Sequence, residues 1–168
     1  MDNRKRCAWA EGHPLLSVYH DTEYGFPIEH DHEFLERLVL ELNQAGLSWL
    51  TILKKREAFQ QAFEGFDIDR VAAYTDKDRD RLLQDAGIIR NRLKINATIH
   101  NARRFQAIRD ECGSFKIWME GQSCNTLDEW VTLFRKTFKF MGPEIVNEFL
   151  MSTGYLPIDH NQTCFLRV

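Results

Sequence analysis

Apolar positions along this chain recur at steps of three and four. Phe34, Leu35, Leu38, Val39 and Leu42 form one such stripe, and Gly46 closes the segment. Ser48 is placed to cap a second helix, running from Trp49 to about Phe63 and stopped by Gly65. Thr75 with Asp78 resembles a capping box, with Asp in place of Glu, at the head of a short helix that ends at Gly87. A longer helix is predicted from Arg90 to about Glu111, closing before Gly113, and another from Leu127 to Lys136. Residues 114–125 hold aromatics, Gly and Ser, and read as a connection between two lobes. Phe138-Lys139-Phe140-Met141-Gly142 reads as a tight turn, after which Pro143 suits the first position of a last helix ending near Gly154. Sustained two-residue alternation is absent. The pattern predicts an all-α fold of about seven short helices with no strong strand.

With 168 residues, the chain has the size of a single domain, 1–168, with the lobe junction at about 114–125. It can bury a core without disulfides. No apolar run reaches the roughly 18–20 residues of a membrane span, and the first residues lack the apolar stretch of a signal peptide. A cytoplasmic address, no membrane partner and a monomer are expected. The net charge of −3 argues against a uniformly basic nucleic-acid binder but leaves room for a local basic face. Lys54-Lys55-Arg56, then Arg90, Arg92 and Lys94, then Arg135, Lys136 and Lys139 are the candidates. Each cluster taken alone reads first as a solvated helix surface.

Four residues near the two ends have metal-ligand character. Cys7 and His20 are separated by twelve residues, and His160 and Cys164 by three. Two thiolates and two imidazoles suit tetrahedral Zn²⁺. Spacing alone divides evenly between a metal site and unrelated buried thiols and histidines. The His-x₃-Cys pair is the more ligand-like, since a helix there would put both side chains on one face. Four protein ligands leave no vacant position, so a zinc held this way is structural, and a zinc hydrolase is a poor reading. Cys112 and Cys124 are left over and are expected to be free thiols.

Glu41 is the first candidate for chemistry. It lies beside Phe34 on a helical wheel, at the edge of the apolar stripe, where an ordinary carboxylate forms an edge salt bridge. The string Glu41-Leu42-Asn43-Gln44-Ala45-Gly46-Leu47-Ser48-Trp49 bends the chain between two helices. It gathers an acceptor, an amide from Asn43 or Gln44, and the face of Trp49 at one corner, which suits a flat heterocycle. Tyr19 and Tyr24 flank His20 and fit the same corner or ordinary core packing equally well; Trp9 reads as core. The turn at 138–142 between two helices has the shape of a helix-hairpin-helix. In that device backbone N–H groups and a helix N-terminus face a DNA phosphate, and Lys139, Phe140 and Gly142 are the candidates here. A plain helical hairpin is the competing reading of the segment alone.

Taken together, these strings resemble the 3-methyladenine DNA glycosylase I family, a branch of the helix-hairpin-helix glycosylases. The carrying segments are Cys7-x-Trp9, Tyr19-His20-Asp21-x-Glu23-Tyr24-Gly25-x-Pro27, Gln44-Ala45-Gly46-Leu47-Ser48-Trp49, Leu53-Lys54-Lys55-Arg56-Glu57, Asp85-Ala86-Gly87-Ile88-Ile89-Arg90-Asn91-Arg92, Phe138-Lys139-Phe140-Met141-Gly142-Pro143 and Asp159-His160-x₃-Cys164. The resemblance implies a helical glycosylase fold whose N- and C-termini are joined by a structural zinc on Cys7, His20, His160 and Cys164. It implies flipping of an alkylated base out of double-stranded DNA and monofunctional cleavage of its N-glycosidic bond. It places the base against Tyr19, Tyr24 and Trp49, with Glu41 as the acidic, catalytic residue. The family usually has Tyr where Leu16 stands, Trp where Tyr24 stands, Gly-Gln where Leu42-Asn43 stand and Gly where Thr137 stands, and the stretch between Cys112 and Arg135 is short. Those departures predict weaker stacking on the base. They keep open an alternative, a non-catalytic DNA- or nucleotide-binding homologue.

Overall fold

The structure, a computed structural model, describes residues 4–167. Among them are nine α-helices, two 3₁₀ turns and no strand. In chain order the helices are α1 (Pro14–Thr22), α2 (Asp31–Gln44), α3 (Trp49–Ala62), α4 (Ile68–Ala72), α5 (Asp76–Gln84), α6 (Arg92–Cys112), α7 (Phe115–Glu120), α8 (Leu127–Thr137) and α9 (Pro143–Ser152). The 3₁₀ turns are Ala8–Ala10 and Glu64–Phe66. Among the described residues no helix is long and apolar enough to cross a membrane.

Local chemistry sets most boundaries. Ser48 Oγ accepts the N–H of Thr51 at 3.2 Å and opens α3. Thr75 and Asp78 close the capping box at α5. The Asn91 side chain accepts from Leu93 and Lys94, so α6 starts at Arg92 and not at Arg90. Pro143 occupies the first turn of α9. Three helices, α1, α4 and α7, lie where the pattern was silent or pointed elsewhere; α4 is five residues long and is capped by Asp67. Helix α1 begins with Pro14 and a His13 cap. Helix α7 falls within 114–125, the stretch read as a connection. Ser114 caps it, and Phe115 and Met119, one turn apart, sink into the core. Six residues are too few for a periodic signal.

The larger departure concerns α2. The stripe predicted a helix with one apolar face, yet every residue from Phe34 to Asn43 is buried. Helices α3, α4, α6, α7 and α9 surround it. Its polar side is therefore covered by polar partners. Glu36 accepts from Arg56 Nε at 2.9 Å and from Gln60 Nε2 at 2.8 Å. Arg37 donates to Tyr19 Oη at 3.1 Å, to the Ser152 carbonyl at 3.0 Å and to Glu23 at 3.3 Å. The Asn43 side chain turns back onto the Val39 carbonyl of its own helix at 2.8 Å.

Phenylalanines fill the other side. Phe105 and Phe115 stack at 4.2 Å, Phe34 meets Phe115 at 5.0 Å, and Phe134 meets Phe149 at 5.5 Å. The N-terminal segment crosses the end of α9 through two close glycines. A Cβ on Gly25 would lie 2.3 Å from Ile158 Cδ1, and one on Gly154 3.1 Å from the Gly25 carbonyl; both have φ above +80°.

The turn between α8 and α9 is held from α6. Buried Asn101 donates to the Lys139 carbonyl at 3.1 Å and accepts the Lys139 N–H at 2.8 Å. Arg135 Nε reaches the Met141 carbonyl at 3.1 Å. This clamp holds Phe140 in the left-handed region, with φ of 65°, where a bulky residue is strained. Asn101→Leu keeps the volume and removes both bonds. It should lower unfolding free energy by about 2 kcal/mol in chemical denaturation and increase hydrogen exchange at the Lys139 amide.

Candidate active site and metal centre

Cys7 precedes the first 3₁₀ turn, His20 sits in the last turn of α1, and His160 and Cys164 belong to the C-terminal segment. Their donor atoms all lie within 4.8 Å of one another. Sulfur–nitrogen separations are 3.3 Å for Cys7 with His160, 3.4 Å for Cys164 with His20 and 3.6 Å for Cys164 with His160. Zinc bonds of about 2.3 Å to sulfur and about 2.0–2.1 Å to nitrogen, at tetrahedral angles, put sulfur and nitrogen roughly 3.5 Å apart. The cluster therefore has both the chemistry and the spacing to hold a metal ion. His160 and Cys164 do not share a helix face, however. They approach through a turn closed by Cys164 N–H on the Asn161 carbonyl at 2.8 Å. His20 Nδ1 lies 2.8 Å from Asp21 Oδ1, which orients Nε2 towards the thiols. Burial alone would raise the Asp21 carboxyl, but hydrogen bonds from Arg6 and His20 outweigh it and hold it below the usual range.

The neighbour of His20 is Tyr19, 3 % exposed. Its ring packs 5.1 Å from Trp49, 5.8 Å from Tyr24 and 6.4 Å from Trp9, and Trp9 meets Tyr24 edge-on at 5.2 Å. Four rings from three separate segments thus make one wall. Trp9 is 41 % exposed and belongs to this wall's outer edge, not to the core as its surroundings in sequence predicted. The indole N–H of Trp49 is buried and has no hydrogen-bond partner among the described residues. An unpaired buried donor is costly, and a visiting acceptor would relieve it.

Glu41 stands one turn beyond Arg37 on α2 and is 4 % exposed. It forms no edge salt bridge among the described residues. Burial pushes its carboxyl up to about 8, against the nearby Arg37 cation and with the Glu148 charge adding to the rise. Glu41 opens into a cleft of about 530 Å³ at the α2–α3 corner. Gln44, Ala45, Gly46 and Leu47 form the near wall, and Gly142, Pro143, Glu144, Ile145 and Glu148 of the turn and α9 form the far wall. Of the amide candidates, Gln44 lines the cleft and Asn43 does not. Tyr24 reaches it indirectly, its hydroxyl donating to Glu148 Oε2 at 3.3 Å. Lys94 backs the corner: its ammonium donates to the carbonyls of Asn43 at 2.9 Å and Ala45 at 3.0 Å and lies 5.9 Å from the Phe140 ring.

The hairpin borders the same cleft through Gly142. The N–H groups of Phe140, Met141 and Gly142 meet no protein acceptor among the described residues. Several basic candidates are engaged internally: Lys55 on the Ala86 and Gly87 carbonyls, Arg56 on Glu23 and Glu36, Lys94 at the corner and Arg135 on the turn. Lys54, Arg90, Arg92, Lys136 and Lys139 are exposed.

Sequence reasoning passed over Arg37 and Glu148. Arg37 was legible in principle, as a charge on the Phe34–Glu41 row of α2 at helical spacing; Glu148 lies one turn after Ile145 on α9, but its place in the cleft comes from the packing of α9 beside α2.

Solved structures similar to this chain include 3-methyladenine DNA glycosylases. A crystal structure of 3-methyladenine DNA glycosylase I superposes with a TM-score of 0.88 at 37% identity, over 98% of this chain and 100% of that one. A Staphylococcus aureus enzyme, solved for the structural basis of its 3-methyladenine recognition, gives 0.84 at 31% identity over 97% and 96%. Residues 9–131 match the methyladenine glycosylase family. DNA-3-methyladenine glycosylase 1 of Escherichia coli (strain K12) is 38% identical over 95% of both chains. The chain belongs to the methyladenine glycosylase family.

A carboxyl raised by burial favours folding while protonated, and the gain disappears as pH climbs from the unfolded value near 4.5 to about 8. Glu41→Gln lacks that dependence. Between these limits wild type should lose stability relative to Glu41→Gln, by on the order of 5 kcal/mol, in denaturation curves of the two proteins measured side by side across the range.

Proposed function

We propose that this protein is a monofunctional DNA glycosylase that hydrolyses the N-glycosidic bond of 3-methyladenine in alkylated double-stranded DNA. The observation that carries the reading is a buried carboxyl, Glu41, opening into a cleft beside a wall of tyrosine and tryptophan rings. The names of the relatives point to the same reaction.

Methylation at N3 leaves the purine cationic while it is attached to the sugar. Once flipped out of the duplex, it meets Tyr19, Tyr24 and Trp49, whose electron-rich faces attract a cation by roughly 0.5–2 kcal/mol each. Glu41 accepts from the exocyclic amino group. With the pocket empty its carboxyl is largely protonated near neutrality, and the arriving positive charge favours the ionised form. The unpartnered Trp49 N–H offers a donor to the ring. The C1′–N9 bond breaks with its electron pair passing to the purine, which leaves neutral. Water bonds to C1′ and loses a proton to solvent. Because the leaving group is already activated, little general-base assistance is required.

The hairpin supplies sequence-independent hold. N–H groups of Phe140, Met141 and Gly142, with Lys139 beside them, suit a DNA phosphate. The four-donor cluster suits Zn²⁺ on Cys7, His20, His160 and Cys164. Four protein ligands complete the coordination, so the ion's part is to fix the two tails and, through His20, the position of Tyr19. The chain acts as one cytoplasmic, monomeric unit, 1–168, its two helical lobes meeting at the cleft. The non-catalytic alternative has one specific support: half-buried Leu16 stands where the family usually has Tyr. Turnover separates the two readings.

Purified wild type should release free 3-methyladenine from methylated duplex, and Glu41→Ala combined with Trp49→Ala should lower kcat/KM by about 100-fold or more. No release by wild type, or undiminished release by the double variant, removes the assignment. Metal analysis of protein prepared without chelator should find one zinc per chain. Cys164→Ser should lose the metal and about 3–5 kcal/mol of stability, by analogy with opening a long cross-linked loop.

A further inference from the structure

We infer that Glu148 of α9 is a specificity-determining residue of this cleft: with Glu41 it makes a two-carboxylate seat that retains a cationic purine and discriminates against a neutral one. The inference rests on the reading of the cleft as a base pocket.

Glu41 on α2 and Glu148 on α9 line the same cleft, one from each of two packed helices. Glu148 is half-buried, and the Tyr24 hydroxyl donates to its Oε2 at 3.3 Å, which fixes that oxygen beside the aromatic wall. Neither carboxylate has an ion-pair partner among the described residues, and no Lys or Arg lines the cleft. The cations behind its walls are committed elsewhere. Arg37 is spent on Tyr19, Glu23 and the Ser152 carbonyl, and Lys94 on the carbonyls of Asn43 and Ala45. Burial raises both carboxyls above their ordinary range, and the Glu148 charge adds to the rise at Glu41. Glu41, buried, and Glu148, half-buried, share a cleft lined by no cation, so ionising both is unfavourable and Glu41 stays largely protonated while the cleft is empty. A positively charged occupant relieves that cost, whereas a neutral purine of the same shape does not.

The consequence for the reaction is directional. The substrate base is cationic and gains from both carboxylates. The product base is neutral once the C1′–N9 electron pair has passed to it, and loses that hold. Glu148 thus strengthens recognition of the lesion without strengthening retention of the product.

The test is binding of two free purines to the full-length protein, followed by calorimetry: 3,9-dimethyladeninium, a permanent cation, and neutral 9-methyladenine. Wild type should prefer the cation. Glu148→Gln should cut that preference about tenfold while leaving the neutral purine within about twofold, the effect of removing one charge at the intermediate dielectric of a cleft. Glu148→Asp, which keeps the charge, should retain most of the preference. An unchanged ratio in Glu148→Gln, equal loss of both ligands, or loss of preference in both variants alike overturns the inference. Failure of wild type to bind either purine overturns the pocket reading itself, and this inference with it.

Discussion

The constraint on which this structure turns is a central helix that is buried on every side yet carries charge. From Phe34 to Asn43, α2 has no solvent face, and within that span lie Glu36, Arg37, Glu41 and Asn43. An uncompensated buried charge costs about 3–5 kcal/mol when its partner is taken away, so each of these groups dictates what must surround it. Glu36 requires Arg56 and Gln60 of α3. Arg37 requires the Tyr19 hydroxyl of α1, the Ser152 carbonyl at the end of α9, and Glu23. Polar satisfaction, more than hydrophobic area, fixes how α1, α3 and α9 are set about α2. Glu41 is the exception. No ion pair neutralises it, and its carboxyl remains largely protonated at neutrality while the cleft is empty.

The clasp between the tails serves the same corner from outside. Its two pairs of donors are far apart in the chain, 144 residues for His20 with Cys164 and 153 for Cys7 with His160, and it adds almost nothing to the core. What it governs is position. His20 is locked by Asp21 on one side and by the thiols on the other, and Tyr19 directly precedes it in the chain. Arg37 grips Tyr19 from α2. The ring that backs Trp49 and Tyr24 is therefore held by the clasp and by the central helix together. A pocket that must recognise a flat, charged ring gains from walls that cannot rotate, because disorder in those walls would be lost on each binding event.

Much of this was legible in the sequence where local chemistry decides. The caps at Ser48 and Thr75, Pro143 at the head of α9, and the apolar stripe of α2 read correctly because each depends on neighbours within one helical turn. The bend between α2 and α3 was also readable, being a glycine-ended helix followed at once by a serine cap, although Trp49 beyond it does not line the cleft that Glu41 opens into. The same means could not reveal that the polar side of α2 is buried. A charged residue on a helix wheel looks the same whether it faces water or Arg56. Helix α7 was hidden by its length, and Asn101 by the 38 residues between it and the Lys139 backbone it clamps. Glu148 was overlooked for a further reason. Its importance comes from sharing a cleft with Glu41, and sequence spacing says nothing about what two packed helices bring together.

A helix that carries so much buried polarity has to be stabilised from somewhere else, and the composition indicates where. Twelve phenylalanines are many for a chain of 168 residues, and Phe34, Phe105, Phe115, Phe134, Phe138 and Phe149 are all within 2 % of complete burial. Their rings meet at 4.2–6.3 Å in tilted, stacked and edge-on arrangements. Full burial of one such side chain contributes about 1.5–3 kcal/mol, so two or three of them offset the cost of leaving one carboxyl without a cation. The same helix joins both functions, since Phe34 lies in the aromatic core and Glu41, two turns on, opens into the cleft. Side chains that need exact polar partners stand on the face towards α1, α3 and α9, and those that need only apolar volume stand towards α6 and α7. The division lets the cleft carry repelling acids at its centre without loosening the fold that aims them.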